Sequence, residues 1–202
     1  WIAALAFLYP LVQCFAAAND ADLTQFMRWY AQAGTPEVTA SGHYDAAAQS
    51  YRLDLTQSVP VTPAQPHKEP MVIPLALGLV GRDGRDMSLS LEGGRPVVRG
   101  VVTLTQAAQS FEFTGVQEQP VLSLNRGFSA PITLTSNAPA EDLKFLAAKD
   151  SDPFNRWQAV QTLANMLLIE NTATMRAGRE PRDDPGLTAA LGALMADPDL
   201  EQ

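Results

Sequence analysis

The sequence is short of the residues that do chemistry. Across 202 residues there is one cysteine, Cys14, and there are two histidines, His43 and His67. A lone cysteine excludes an internal disulfide and suits a reducing compartment, so a cytoplasmic location is expected. Two histidines 24 residues apart, with no further cysteine, do not supply the converging ligands of a zinc site. Charged residues make up only 18%, and the net charge is −8. An acidic chain has no electrostatic footprint for phosphate backbones, so no nucleic-acid partner is expected. H-E-x-x-H, a Gly-rich phosphate loop and a G-x-S-x-G elbow are all absent. These absences point away from a self-contained enzyme and towards a piece of a larger one.

Charge is also missing from Trp1 to Asn19, WIAALAFLYPLVQCFAAAN. A membrane span needs about 20 apolar residues, and Pro10 and Gln13 interrupt this stretch. The positive start of a signal peptide is lacking. Gln13 is not the small residue that lipoprotein processing before Cys14 would require. The stretch reads as a buried helix or the end of a truncated fragment, with an export or membrane segment as the alternative, and no membrane partner is expected. Cys14, among apolar neighbours with no His or Lys at hand, reads as a small buried hydrophobe.

What is present falls into three zones. From Leu11 to Gln32 the pattern is helical. Asp22 and Gln25 resemble a capping box, which predicts a helix from about Leu23. Leu23, Phe26, Met27 and Tyr30 form its apolar stripe. Trp29 and Tyr30 are expected to anchor it on the next zone. Gly34-Thr35-Pro36 ends it. From Glu37 to Ser136 the period becomes two. Tyr51, Leu53 and Leu55 alternate with polar residues, as do Val102 and Leu104, while Phe111 and Phe113 flank Glu112. Asp83-Gly84 and Gly93-Gly94 mark turns. Val72 to Val80 reads as a central strand, with Pro74 at a strand start, edge or bulge. Pro60 to Pro70, with four prolines, reads as a semi-rigid loop. Seven or so strands over this length predict an immunoglobulin-like antiparallel β-sandwich.

From Pro139 the helical period returns. A short helix is expected over Glu141–Lys149. Asp152-Pro153 opens a second, with Phe154, Trp157, Val160, Ala164, Leu167 and Leu168 on one apolar face and Gly178 at its end. Asp183-Asp184-Pro185 opens a third, with Leu187, Leu191, Leu194 and Met195 inward. Helices in series read as the start of an array whose units need neighbours. The whole reads as an α+β multidomain fragment, with boundaries expected at 1–34, 35–137 and 138–202. The last of these is expected to be a truncated helical-array domain.

Other candidate chemistry resolves into ordinary roles. His43 after Gly42 reads as a turn residue, and Ser41 beside it carries no triad signal without geometry. Glu141/Asp142 and Asp183/Asp184 suit helix first turns. Asp197 and Asp199 are too short a run for a cation loop. No catalytic, cofactor-binding or metal-binding residue is assigned.

Three separated segments share order and spacing with one family. Asp22 to Pro36 (DLTQFMRWYAQAGTP) resembles the end of the catalytic domain of bacterial aminopeptidase N, zinc metallopeptidases of the gluzincin group. Gly127-Phe128-Ser129-Ala130-Pro131 resembles the last strand of that family's β-sandwich. Asp152 to Trp157 (DPFNRW) resembles the opening of its helical domain. The resemblance covers roughly residues 11–202 and implies a position in a larger enzyme. It places the zinc ligands, the general-base Glu, the amine-binding residues and the transition-state Tyr upstream, and further substrate-access residues downstream. The family removes N-terminal residues from peptides, with broad preference for basic, alanyl and other neutral side chains. The implied partners are the catalytic and C-terminal helical domains of the intact enzyme, and the implied cofactor, zinc, belongs to that enzyme and not to this chain. The alternative reading is an immunoglobulin-like protein-binding module without enzymatic activity, with contact through the loop around His67. A membrane-tethered or exported domain rests on Trp1 to Asn19 alone.

Overall fold

The computed structural model describes residues 2–196. Helix α1 (Ile2–Asn19) contains Pro10. Its apolar residues are spread around the axis, so one contact face cannot cover them. Val12 is buried, whereas Tyr9, Leu11 and Phe15 are exposed. Cys14 is exposed too, contrary to the expectation of burial. No helix among the described residues is long and apolar enough to cross a membrane.

The helix expected from Leu23 shrinks to α2 (Arg28–Ala31). Asp22 explains the loss. Its carboxylate accepts from the Thr24 N–H at 2.9 Å, closing a turn two residues on instead of capping a third-position amide. Overlapping tight turns then carry the chain from Leu23 into α2. Trp29 anchors as expected, its indole N–H donating to the Val72 carbonyl at 2.7 Å. Tyr30 does not, lying exposed with its ring edge-on to Phe26.

The period-two zone forms two sheets. Strands β1 (Glu37–Asp45), β2 (Ser50–Ser58), β3 (Ile73–Val80), β4 (Ser90–Leu91), β5 (Arg95–Pro96), β6 (Val101–Leu104), β7 (Ala108–Thr114), β8 (Val121–Leu124) and β9 (Thr133–Ser136) follow in chain order. One sheet runs β5-β4-β7-β2-β1-β9 and the other β6-β3-β8. All pairs are antiparallel except β1 with β9, where Glu37 lies opposite Thr133 and Ala40 opposite Ser136 in parallel register. The inward set includes Val38, Leu53, Leu55, Leu75, Leu79, Leu104 and Phe113, all essentially sealed from solvent. The two sheets bury one face each, which is why the alternation was legible.

Local chemistry explains the connections. Gly93 and Gly94 both have positive φ, +80° and +74°, and turn the β4–β5 hairpin. Pro74 sits inside β3, opposite Thr103 of β6. β8 pairs with β3 only from Leu77 onward, so no ladder bond is missing at the ring. His43 is not in a turn. It stands exposed in β1 opposite Arg52, because β1 continues through Gly42 to Asp45. Gly42 is there for clearance: a Cβ at that position would lie 1.8 Å from the Tyr51 hydroxyl.

Three helices follow. α3 (Ala140–Lys149) and α4 (Pro153–Arg176) enclose a second core with α5 (Pro185–Met195). Asp152 caps α4 by accepting from the Asn155 N–H at 2.8 Å, with Pro153 at the first helical position. Gly178, at φ +69°, closes α4 with paired bonds from Gly178 N–H to the Met175 carbonyl and from Arg179 N–H to the Thr174 carbonyl. Asp184 caps α5 through the Gly186 and Leu187 amides. The buried stripe of α4 is Ala159, Val160 and Leu163. Trp157 and Leu168, expected inward, lie on its flank at 51% and 62% exposure. In α5, Leu187 and Ala190 are buried while Leu191 and Met195 face outward. The Leu194 side chain, Asp197 and Asp199 lie outside the described residues.

Phe113→Ala in the sandwich core is expected to cost about 3–5 kcal/mol in chemical denaturation, the loss typical of a buried aromatic. Trp157→Ala, half in water, should cost well under that in the same measurement.

Candidate functional site

The residues with catalytic potential are not brought together. Ser41 and His43 share the outer face of β1 without a hydrogen bond between them, and Asp54, opposite Ser41, is engaged by Arg52 and Ser110. His67 is exposed in the Pro-rich loop. Among the described residues no three His, Cys, Asp or Glu side chains converge on a point where a metal ion would sit. No set of the described residues fits the zinc that the family resemblance assigns to the intact enzyme. What the fold builds instead is two polar junctions at either side of the sandwich.

The first joins the α2 region to the loop between β2 and β3. Arg28 donates to the Pro70 carbonyl at 2.6 Å, and Gln25 donates to the Pro70 and Thr105 carbonyls. Three glutamines use both ends of their amides against backbone, as a strand would. Gln32 donates to the Glu69 carbonyl and accepts from its N–H. Gln65 donates to the Ala31 carbonyl and accepts from the Ala33 N–H. Gln57 donates to the Met71 carbonyl and accepts from its N–H at 2.8 Å, within the buried interior. Lys68 adds an ammonium bond to the Ala33 carbonyl. The Pro-rich loop is thus occupied in holding the N-terminal segment.

The second junction joins the sandwich to the helices. Arg126 lies in a tight 3-10 turn, Arg126–Phe128, just after β8. The segment 127–131, whose resemblance is to a last strand, forms this turn and the approach to β9. The Arg126 guanidinium makes a two-pronged ion pair with Asp86, both bonds 2.8 Å, and a third bond of 2.8 Å to Asp150. Its Nε donates to the Ser123 hydroxyl at 2.7 Å. Ser123 in turn donates to Asp150 and accepts from the Asn155 amide, so its one donor and two acceptor sites are filled. Asn155 also donates to the Leu124 carbonyl, and Ser151 donates to Asp86. One network therefore ties β8 and the turn after β3 to the α3–α4 corner.

Gly78 makes room for it. The position is paired with Ser123 in β3, and a Cβ there would fall 2.3 Å from the guanidinium carbon of Arg126. Electrostatics divide the two acids. The Arg126 bond holds the Asp86 carboxyl below its ordinary range, with help from Ser151. Burial pushes the Asp150 carboxyl up, against the pull of Ser123, the Asp152 amide and Arg126, and its side chain has no solvent exposure. An ion pair of this kind is favourable only while every partner is present.

Comparison with known proteins places this architecture. Residues 34–137 match a domain family described as a domain of unknown function, DUF3458, with an Ig-like fold. Residues 140–202 match its C-terminal companion, described as ARM repeats. Aminopeptidase N of Caulobacter vibrioides is 42% identical over 205 aligned residues, covering 94% of this chain and 22% of the relative. Aminopeptidase N of Escherichia coli is 35% identical over 190 residues, covering 94% and 22%. The chain spans about a fifth of the length of these relatives. The crystal structure of Legionella pneumophila aminopeptidase A in complex with aspartic acid superposes with a TM-score of 0.71 at 23% identity, covering 92% of this chain and 19% of that one. At that identity it shows a shared fold.

Arg126→Met should destabilise by about 3–5 kcal/mol near neutral pH, because it strands the buried Asp150 charge. The sign with pH follows from the raised Asp150 carboxyl. Its protonated form is favoured in the folded state, so the loss in the variant should shrink as pH falls through the range where Asp150 takes up a proton. The Asp86 contribution runs the other way: it is present above that carboxyl's unfolded value and lost as pH falls through its depressed folded value. Denaturant titrations of both proteins across pH would check this, and Gly78→Ala combined with Arg126→Met should be far from additive.

Proposed function

Because this chain belongs to the DUF3458 Ig-like family and aligns with bacterial aminopeptidases N along nearly its whole length, we propose that it serves as the non-catalytic central segment of an aminopeptidase N-like zinc metallopeptidase. Its role in this reading is to set the angle between a catalytic domain upstream and a helical domain downstream. The units are 1–34, the closing helical segment of the catalytic domain; 35–137, the sandwich; and 138–202, the start of the helical domain. The intact enzyme would remove N-terminal residues from peptides, its zinc and reacting groups supplied by the catalytic domain, in the cytoplasm.

The observation that carries this reading is the pair of junctions. A spacer that sets an angle must resist rotation on both sides. Each side here is held by side chains reaching from one unit to backbone or buried charge of the next. The same observation weighs against a binding module using the loop around His67, because that loop's neighbours Gln65, Lys68 and Glu69 are committed internally.

The test is a chimera in which this segment replaces its counterpart in the Caulobacter vibrioides aminopeptidase N, assayed on an alanyl anilide. The chimera should turn over. Arg126→Met in it should lower kcat/KM by about tenfold or more through mispositioning, with zinc content unchanged. The isolated chain should show no turnover. Turnover by the isolated chain, or a folded Arg126→Met chimera with unaltered kcat/KM and unaltered domain spacing in solution scattering, would overturn the proposal.

A further inference from the structure

A cavity of about 820 Å³ opens on the flank of the sandwich, where β1 and β9 of one sheet part from β8 of the other and α3 and α4 roof the gap. Its walls mix apolar side chains such as Leu122, Leu134 and Leu143 with polar ones such as Thr133, Asn137 and Gln158. The volume is in the range of small-molecule sites, about 300–1,000 Å³.

Two groups on the wall stand out, a buried phenol and a carboxylate, and neither side chain has a protein hydrogen-bond partner among the described residues. Tyr51 is 94% buried, lines the cavity and carries a hydroxyl that bonds to nothing else in the described protein. The bare Cα of Gly42 lets its ring lie across β1 and fixes where that hydroxyl points. Asp142, in the first turn of α3, lines the same cavity, and its carboxylate neither accepts a hydrogen bond nor lies within ion-pair distance of a cation. Arg82 acts on it only through its field. The two groups are close enough for the Asp142 charge to act on the phenol. Burial and that charge push the Tyr51 hydroxyl up to about 12, so it stays protonated and able to accept through its oxygen.

Neither oxygen is sealed from solvent, so each can meet a guest that enters the cavity. Asp142 is the one charged side chain among the described residues of the wall, and a partly desolvated carboxylate gains most from a cation. An anion would be repelled, and a purely apolar guest would leave both groups unpaired. We propose that this cavity binds a small amphipathic cation, its ammonium held between the Tyr51 hydroxyl and the Asp142 carboxylate and its apolar body against Leu122, Leu134 and Leu143. Phe128 and Phe154, their rings 5.5 Å apart and tilted by 54°, stand on the cavity wall and offer an aromatic body a further face. Asn155 and Leu124 of the second junction also reach the cavity wall, but the groups that would hold the cation belong to neither network, and the site does not rest on the peptidase reading.

The test uses the 202-residue chain and three probes of one shape: the 2-phenylethylammonium cation, neutral 2-phenylethanol and the phenylacetate anion. Binding is followed by amide chemical shifts and calorimetry. The cation should bind saturably and about tenfold more tightly than the alcohol, the size of one charge-assisted bond, with shifts centred on β1, β9 and the start of α3. Phenylacetate should not bind. Asp142→Asn should bring the cation down to the alcohol's affinity, and Tyr51→Phe should weaken it several-fold. Glu141→Gln, at the exposed neighbour, should leave it unchanged. Equal affinity for cation and anion, cation binding untouched by Asp142→Asn in a folded variant, or no saturable binding of the cation would each overturn the proposal.

Discussion

A guanidinium laid flat across a strand holds this molecule's two folded halves in register. Arg126 can approach β3 only because position 78 has no side chain, and it then binds Asp86, Asp150 and Ser123 at once. Asp150 and Asn155 belong to the corner that launches α4, so the direction of the helices is referred to the sandwich through one cation. The penalty for burying Asp150 is offset only while Arg126, Ser123 and the Asp152 amide remain in place. A fully bonded buried network of this sort is intolerant of small displacement, and that intolerance makes it suitable for setting an angle.

The opposite side of the sandwich is held by different chemistry. Gln32, Gln57 and Gln65 hold backbone at both ends of neutral amides, and the Pro-rich loop offers acceptors such as the Pro70 carbonyl. Neutral amide contacts are far less sensitive to salt and pH than ion pairs. Arg28 and Lys68 add charged donors on this side, but these bond backbone carbonyls and not a buried carboxylate.

Much of the fold was legible because it obeys simple periods. Tyr51, Leu53 and Leu55 declared β2, Asp152-Pro153 declared the start of α4, and two glycines declared the β4–β5 hairpin. The misreadings have physical causes. Cys14 lies on a helix with no single apolar face, so apolar neighbours in sequence did not mean burial in space. Trp157 and Leu168 sit just beyond the contact stripe of α4, and Asp22 spends its carboxylate on a turn. Gly42 resembled a turn residue but serves as a hollow for the Tyr51 ring. The Arg126 network was invisible for another reason. Its members stand at 86, 123, 126, 150, 151 and 155, are common residue types and share no spacing, and only the pairing of β3 with β8 brings them together. The one available signal was Gly78 within an otherwise bulky apolar strand, a place where another group comes close.

The parallel pairing of β1 with β9 has a mechanical consequence. Chain enters the sandwich at the start of β1 and leaves at the end of β9, and these strands lie side by side running the same way. Tension applied between the flanking segments would drag the two strands lengthwise past each other, so every rung between them shares the load and none can peel off first. That pairing therefore resists a pull along the line of the polypeptide by shear.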